Sequence, residues 1–346
     1  MSAVKQARRH GRRSRLEFAS MRSPVVLTLA VTAAVAIVGT ARAGPFIIVN
    51  GLVTGAIWAL VAAGLALVFG VMNIPNFAQG EFFLVGSLSG YLVFTNVSPR
   101  IGGGLAWAAP IITILVALLV GMLVGGLLDV VIFGQMRRRI REQWVMNTFV
   151  VTVGISVVMI NGYQLIWGTD YRGIPAYFTA PPIHVLGVGI AIDRVFALAV
   201  GAVAISGLWA LLRFARLGRA IRAVSQDEAG ALMSGIDISR IQTLTFAISS
   251  GLAALAGATL LFNFPAFPYV GIKPLYVAWT VVILAGLGNV GGAVVAGFII
   301  ALFQTSTSYF IGSQWEDVVP FALIVVILAL RPNGLFGRGV RGVWEQ

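Results

Sequence analysis

The chain has 346 residues, of which 10% are charged and 58% belong to the set AVILMFWYC. Soluble domains carry about 25% charged residues, so a soluble enzyme and a disordered chain are excluded, and the lack of cysteine excludes a disulfide scaffold or a thiolate site. The net charge of +12 sits in a few clusters between apolar runs, which signals membrane topology rather than nucleic-acid binding.

Residues 1–23 form a basic tail with Lys5, Arg8, Arg9, Arg12, Arg13, Arg15 and Arg22. An apolar stretch over 24–43 ends in Ala41-Arg42-Ala43, a pattern like a signal-peptidase site. It is either a first transmembrane helix or a cleavable signal, and both place residue 44 outside the cytoplasm. A transmembrane domain is expected over 44–331, with apolar runs at 46–71, 82–97, 105–133, 144–168, 194–214, 241–262, 275–310 and 316–331. Basic clusters at 137–141, 213–222 and 331–341 belong in the cytoplasm by the positive-inside rule, and 332–346 is then a cytoplasmic C-terminal tail.

Nine simple crossings would strand that last cluster outside. The run 275–310 resolves the parity, because Gly286-Leu287-Gly288-Asn289-Val290-Gly291-Gly292 interrupts it, and glycine weakens a helix at every position. A run that dips in, turns at Gly286, Gly288, Asn289, Gly291 and Gly292 and returns keeps both ends outside. The expected fold is an all-α polytopic membrane protein with about eight full transmembrane helices plus a re-entrant pair of half-helices. Such a break is tolerable only inside the protein or along a cavity.

Three segments carry the polar chemistry. In Asn73-Ile74-Pro75-Asn76-Phe77-Ala78-Gln79-Gly80-Glu81, Pro75 breaks a helix, and Asn73, Asn76, Gln79 and Glu81 bring amides and a carboxylate close to the bilayer. This is either a tight cytoplasmic turn, with Asn73 as a cap and Glu81 at a helix start, or a broken helix that lines a path or holds a gate. In the loop 213–241, Ser225 and Glu228 have capping-box spacing for a helix over about 226–234 that stops at Gly235. That helix shows Ala229, Leu232 and Met233 on one face and either lies on the membrane or docks on a partner. In 144–168, Thr148, Thr152 and Ser156 recur every four residues on one face, for interhelical hydrogen bonds or for lining a path. Asp129 is the only acid deep in a run, four residues from its inner end, where its side chain is free to snorkel.

The sequence also lacks several chemistries. There is no GxxxxGK[ST], no HExxH and no Ser/His/Asp set, and the two histidines are His10 and His184. No catalytic residue, no metal site and no bound cofactor are expected.

Taken together, Asn50-Gly51-Leu52, Asn73-Ile74-Pro75-Asn76-Phe77-Ala78-Gln79-Gly80-Glu81-Phe82, Leu217-Gly218-Arg219-Ala220-Ile221-Arg222-Ala223, Gly235-Ile236-Asp237, the glycine group at 286–292 and Arg331-Pro332-Asn333-Gly334-Leu335-Phe336-Gly337 resemble the inner-membrane permeases of branched-chain amino acid ABC importers, of the H type (LivH). The resemblance covers roughly 46–340 in order and leaves 1–43 outside. It departs at Gln79, where that family typically has histidine.

The resemblance implies an importer-type ABC permease fold in a bacterial inner membrane, with a cytoplasmic C-terminus. Its partners would be a second, LivM-type permease, two ABC ATPase subunits that hold the ATP, a periplasmic solute-binding protein and the lipid bilayer, with no nucleic acid. Asn73, Asn76, Gln79, Glu81, Thr148, Thr152 and Ser156 are the candidates for the translocation path or gate. Arg219, Arg222, Asp227, Glu228, Ala229, Leu232, Met233 and Gly235 are the candidates for ATPase coupling. Branched-chain amino acids are the default solute, with urea or amides as the alternative. An ion-coupled secondary transporter and a membrane scaffold are the readings from other classes; scarce deep acids disfavour the first, and polar broken helices disfavour the second.

Overall fold

The computed structural model describes residues 25–26, 28–42, 44–100, 107–139, 144–185 and 188–337. The basic tail at 1–23, Ala43 at the end of the first run, Arg141, Arg338 and Arg341 lie outside the described residues.

In chain order the helices are α1 (Thr28–Arg42), α2 (Phe46–Met72), α3 (Gln79–Val97), α4 (Ala108–Leu128), α5 (Gly134–Arg139), α6 (Trp144–Trp167), α7 (Ile192–Phe214), α8 (Arg216–Gln226), α9 (Glu228–Met233), α10 (Ile238–Thr259), α11 (Ile272–Ala285), α12 (Val290–Phe310) and α13 (Val318–Leu330). Seven helical stretches among the described residues are long and apolar enough to cross a bilayer. The chain is an all-α polytopic membrane protein; among the described residues Ile183–Val185 also pairs antiparallel with Val188–Ile190.

α2 and α10 form the centre and are buried on nearly all sides, whereas α6, α7 and α13 present mostly exposed apolar side chains. The packing is set by small residues, which let backbones approach closely. α2 runs antiparallel to α12: a β-carbon on Gly55 would meet Phe298, and one on Gly297 would lie 2.9 Å from Ala59. α10 crosses α3 where Gly257 abuts Phe83, and crosses α4 where Gly125 abuts Ser250. Of the small-residue pairs in the sequence, Gly51/Gly55 and Gly121/Gly125 therefore sit at helix crossings. Gly288 instead faces Gly70, and Gly292 faces its own cap Asn289.

The reversal after α11 falls at Gly286–Asn289, with Gly286 at φ +100° and Gly288 at φ +79°, conformations that favour glycine. Asn289 caps α12: its Oδ1 accepts from Gly292 N at 2.9 Å and its Nδ2 donates to Phe336 O at 2.9 Å. Lys273 in the first turn of α11 pairs with Glu316 just after α12, so both ends of this unit lie at one end of the bundle. The two arms differ from the expected pair of half-helices. α11 has 14 residues and α12 has 21, and the turn sits at the far end of α2 beside Gly70 rather than at mid-depth. The glycine group lies nearer the start of the run than its end, so the second arm is full length.

Two further local readings change. Asp129 does not snorkel. It starts a five-residue π turn that continues α4, is fully buried, and receives Arg137 at 2.7 Å and Thr243 Oγ1 at 2.6 Å. The expected helix over about 226–234 forms as α9, but a break at Asp227 separates it from a preceding helix, α8, that the local pattern did not announce. Ser225 sits in the last turn of α8 and donates to Arg222 O at 3.0 Å, so the Ser225–Glu228 capping box does not form.

At the other end of the bundle Ile174, Tyr177 and Phe178 pack with Phe94, Phe196 and Phe262. Asp193 Oδ1 accepts from the backbone N–H groups of Tyr177 and Phe178 at 2.8 and 3.2 Å. The Tyr177 hydroxyl donates to Ala258 O, and burial, helped by the Asp193 charge, pushes its pKa well above the usual tyrosine range.

Candidate functional site

α2 ends at Asn73, whose left-handed backbone (φ 53°) stops the helix, and Pro75 then prevents its resumption. Asn73 is exposed and serves as a cap. The segment beyond it is no surface turn. The chain re-enters the bundle, and Asn76, Gln79 and Glu81 are all buried. α3 therefore starts inside the protein, with Gly80 against the backbone of Gly271.

Burying three polar side chains requires partners, and each finds them. Asn76 Oδ1 accepts from Ala78 N at 3.1 Å, and its Nδ2 donates to Gln79 Oε1 at 3.1 Å. Gln79 is held on α10, where Ser249 Oγ donates to its Oε1 at 3.2 Å and its Nε2 donates to Ser249 O at 3.4 Å.

α6 supplies the other side. Its Thr148, Thr152 and Ser156 face inward, with Thr148 and Thr152 fully buried. Thr152 Oγ1 accepts from Phe77 N at 3.3 Å, and its proton is shared between Phe149 O at 2.8 Å and Pro75 O at 3.3 Å. Ser156 Oγ donates to Glu81 Oε1 at 2.8 Å. Thr148 Oγ1 bonds back to Trp144 O at 2.7 Å. Phe77 stacks on Trp279 of α11 with centroids 5.2 Å apart and meets Phe149 edge-on at 5.1 Å. The broken segment is thus clamped by α6, α10 and α11 together. Glu81 Oε2 is left buried without a hydrogen-bond partner, an acceptor facing the interior.

This arrangement offers amides, hydroxyls and one carboxylate. Ser156→Ala is expected to lower stability by about 1–2 kcal/mol, because it leaves the Glu81 carboxyl buried with neither oxygen bonded. Thermal melting of the detergent-purified chain measures this, and an unchanged midpoint would show that the Ser156–Glu81 bond contributes nothing.

The glycine group lies apart from this cluster, at the end of the bundle that also carries α8. A groove of about 490 Å³ there is lined by Gly70, Gly288, Asn289, Arg222 and Phe336 among others. A β-carbon on Gly286 would lie 2.6 Å from Gly337, while one on Gly291 would meet only the Asn289 side chain at 3.8 Å.

In the 213–241 loop, Arg219 donates to Phe214 O at 3.1 Å and Arg222 donates to Leu212 O, so both arginines satisfy the last carbonyls of α7. They hold α8 against the end of α7. Asp227 is the extended hinge before α9, Glu228 lies in its first turn, and Gly235 at φ +79° follows its end. Ala231 faces inward, whereas Ala229, Leu232 and Met233 are exposed, Met233 at 89%.

Sequence reasoning missed two groups. Ser249 lies in a run of small residues with no spacing signal. At the opposite end of the bundle, Asn50, Arg194, Lys273 and Glu316 converge from four separate segments around one cavity.

The chain matches the family model described as branched-chain amino acid transport system / permease component over residues 47–328. The chain belongs to this permease family. The permease is 28% identical to the high-affinity branched-chain amino acid transport system permease protein LivH of Salmonella typhimurium over 294 residues, which cover 84% of this chain and 94% of that one. It is 29% identical to BraD of Pseudomonas aeruginosa, described in the same words, over 84% of this chain and 95% of that one. It is 23% identical to the ribose import permease protein RbsC of Haemophilus influenzae, over 80% and 82% of the two chains. No solved structure gives a significant match. The matched residues run from the start of α2 into α13, so the permease's family resemblance takes in both the broken 73–81 segment and the α8–α9 protrusion.

Proposed function

We propose that this chain is the membrane-spanning subunit of an ABC importer in a bacterial inner membrane, passing branched-chain or related amino acids delivered by a periplasmic binding protein. The relatives named for branched-chain amino acid transport support that solute class. A second, LivM-type permease would complete the path, and two ABC ATPases would hold the ATP. The chain itself would bind no cofactor and no metal, and its C-terminus would face the cytoplasm.

The observation that carries the reading is the apolar face of α9. Leu232 and Met233 stand exposed on a short helix that α8 and its arginines hold off the end of α7. The sequence has no phosphate-binding loop of its own, so energy from ATP would enter through such a contact. An ATPase groove receiving α9 would move α8, which abuts the groove at Gly70 and Gly288. That motion would reach the broken segment through α2, whose end leads directly into Asn73. The solute would then pass along the Asn76, Gln79, Glu81 and α6 hydroxyl surface as the clamp opens.

The test is affinity purification of the chain from its native membrane in mild detergent, with mass spectrometry of what accompanies it. A second permease together with ATPases bearing phosphate-binding loops is the expected result. Recovery of this chain alone, under conditions that preserve a control ABC complex, would overturn the reading in favour of a self-sufficient transporter.

A further inference from the structure

At the end of the bundle opposite α8, a cavity of about 470 Å³ opens between the first turns of α2, α7 and α11 and the end of α12. Its apolar walls are two aromatic pairs, Trp58 with Phe264 and Phe46 with Tyr309, at centroid distances of 6.1 and 6.3 Å. Its charged side chains are paired within the cavity wall, with one exception. Lys273 pairs with Glu316 and lies 3.9 Å from Asp317. Asp317 also accepts from Tyr276 and from Gln304 Nε2 at 2.7 Å, and Gln304 Oε1 accepts from Trp58 Nε1 at 2.9 Å.

Arg194 is the exception. Its guanidinium donates to the neutral amide oxygen of Asn50 and, among the described residues, meets no carboxylate. The neighbouring Asp193 is turned away, its Oδ1 taken by the N–H groups of Tyr177 and Phe178. A guanidinium has five donors in a planar fork suited to a carboxylate, and among the described residues only Asn50 accepts from this one. The cavity therefore combines a guanidinium that, among the described residues, contacts no carboxylate with aromatic walls for an apolar body.

We propose that this cavity is a receiving site at the outer mouth, in which Arg194 takes the α-carboxylate of an amino acid whose apolar side chain lies against Trp58 and Phe264. This rests on the permease reading and sharpens it. A carboxylate-bearing solute fits a guanidinium that touches only a neutral amide, whereas urea or a simple amide brings no negative charge to it.

The test uses the chain in nanodiscs without any binding protein, with L-leucine observed by saturation-transfer NMR. 4-Methylpentanoate, which keeps the carboxylate, should displace leucine, and L-leucinamide, which lacks it, should not. Arg194→Gln should weaken leucine about tenfold or more, the ordinary worth of a charged hydrogen bond. Asn50→Asp keeps the arginine but gives it an internal carboxylate, so it should weaken leucine similarly if Arg194→Gln fails to fold. Arg240→Gln, at the exposed Asp237 pair on the other end, should change nothing. Unchanged leucine binding in both Arg194→Gln and Asn50→Asp, or equal displacement by the two analogues, would overturn the site. ATP-driven uptake by the full importer separates the two readings: failure of leucine binding with intact uptake sinks the receiving site alone, while absent uptake with intact binding sinks the permease reading alone.

Discussion

Asp129→Ala is expected to lower the unfolding free energy of the purified chain by about 3 kcal/mol. The carboxylate is fully buried and holds the Arg137 guanidinium through two bonds, at 2.7 and 3.2 Å, and Thr243 of α10 through a third. Removing it leaves Arg137, whose side chain is only 15% exposed, with its charge unmatched. Losing one partner of a buried pair costs far more than losing both, because the survivor keeps its desolvation penalty. Asp129→Leu combined with Arg137→Met should therefore recover most of the loss. The surviving monodisperse fraction after heating, read by size-exclusion fluorescence, gives the comparison. A double variant no better than Asp129→Ala would mean that the pair supplies more than charge compensation.

Met233→Asp is expected to cut ATP-driven uptake by about tenfold or more while leaving the melting temperature unchanged. Met233 is 89% exposed, so a carboxylate there costs the isolated chain nothing. In an ATPase groove the same charge would be desolvated without a partner, and a central contact of an interface is commonly worth about 2 kcal/mol or more. Met233→Ala should give a smaller loss, since it removes area without burying a charge. Uptake at the normal rate by Met233→Asp would remove α9 from the coupling path.

Much of the fold is legible because lipid enforces a simple rule: backbone polar groups must be satisfied within each segment, so apolar runs become helices. The helices follow the apolar runs closely, and the reversal at Gly286–Asn289 follows the glycines. The limits come from contacts distant in sequence. Nothing local to Asp129 announces Arg137 eight residues on, since two straight helical turns would separate them by about 12 Å; the π turn beginning at Asp129 alters that spacing. Ser225 and Glu228 have the spacing of a capping box, but Ser225 stays helical because α8 continues to Gln226 against the end of α7. In the candidate site, Asn76, Gln79 and Glu81 are visible in the sequence as polar residues next to a proline. Their common clamp by Ser249, Thr152 and Ser156 is not, because it joins segments up to 170 residues apart.

The stitching of α11 also has a bearing on the order of synthesis. The carbonyls of Leu284 and Ala285 accept from the N–H groups of Leu335 and Phe336, at 2.8 and 2.9 Å. Leu335 is translated after the whole of α12 and α13. While those helices are inserting, the end of α11 has to rely on other donors for the same carbonyls, because Leu284 and Ala285 are fully buried in the finished fold and an unpaired buried carbonyl is costly. This corner of the bundle therefore closes late in biogenesis, and a nascent chain halted before residue 335 should keep it open to protease.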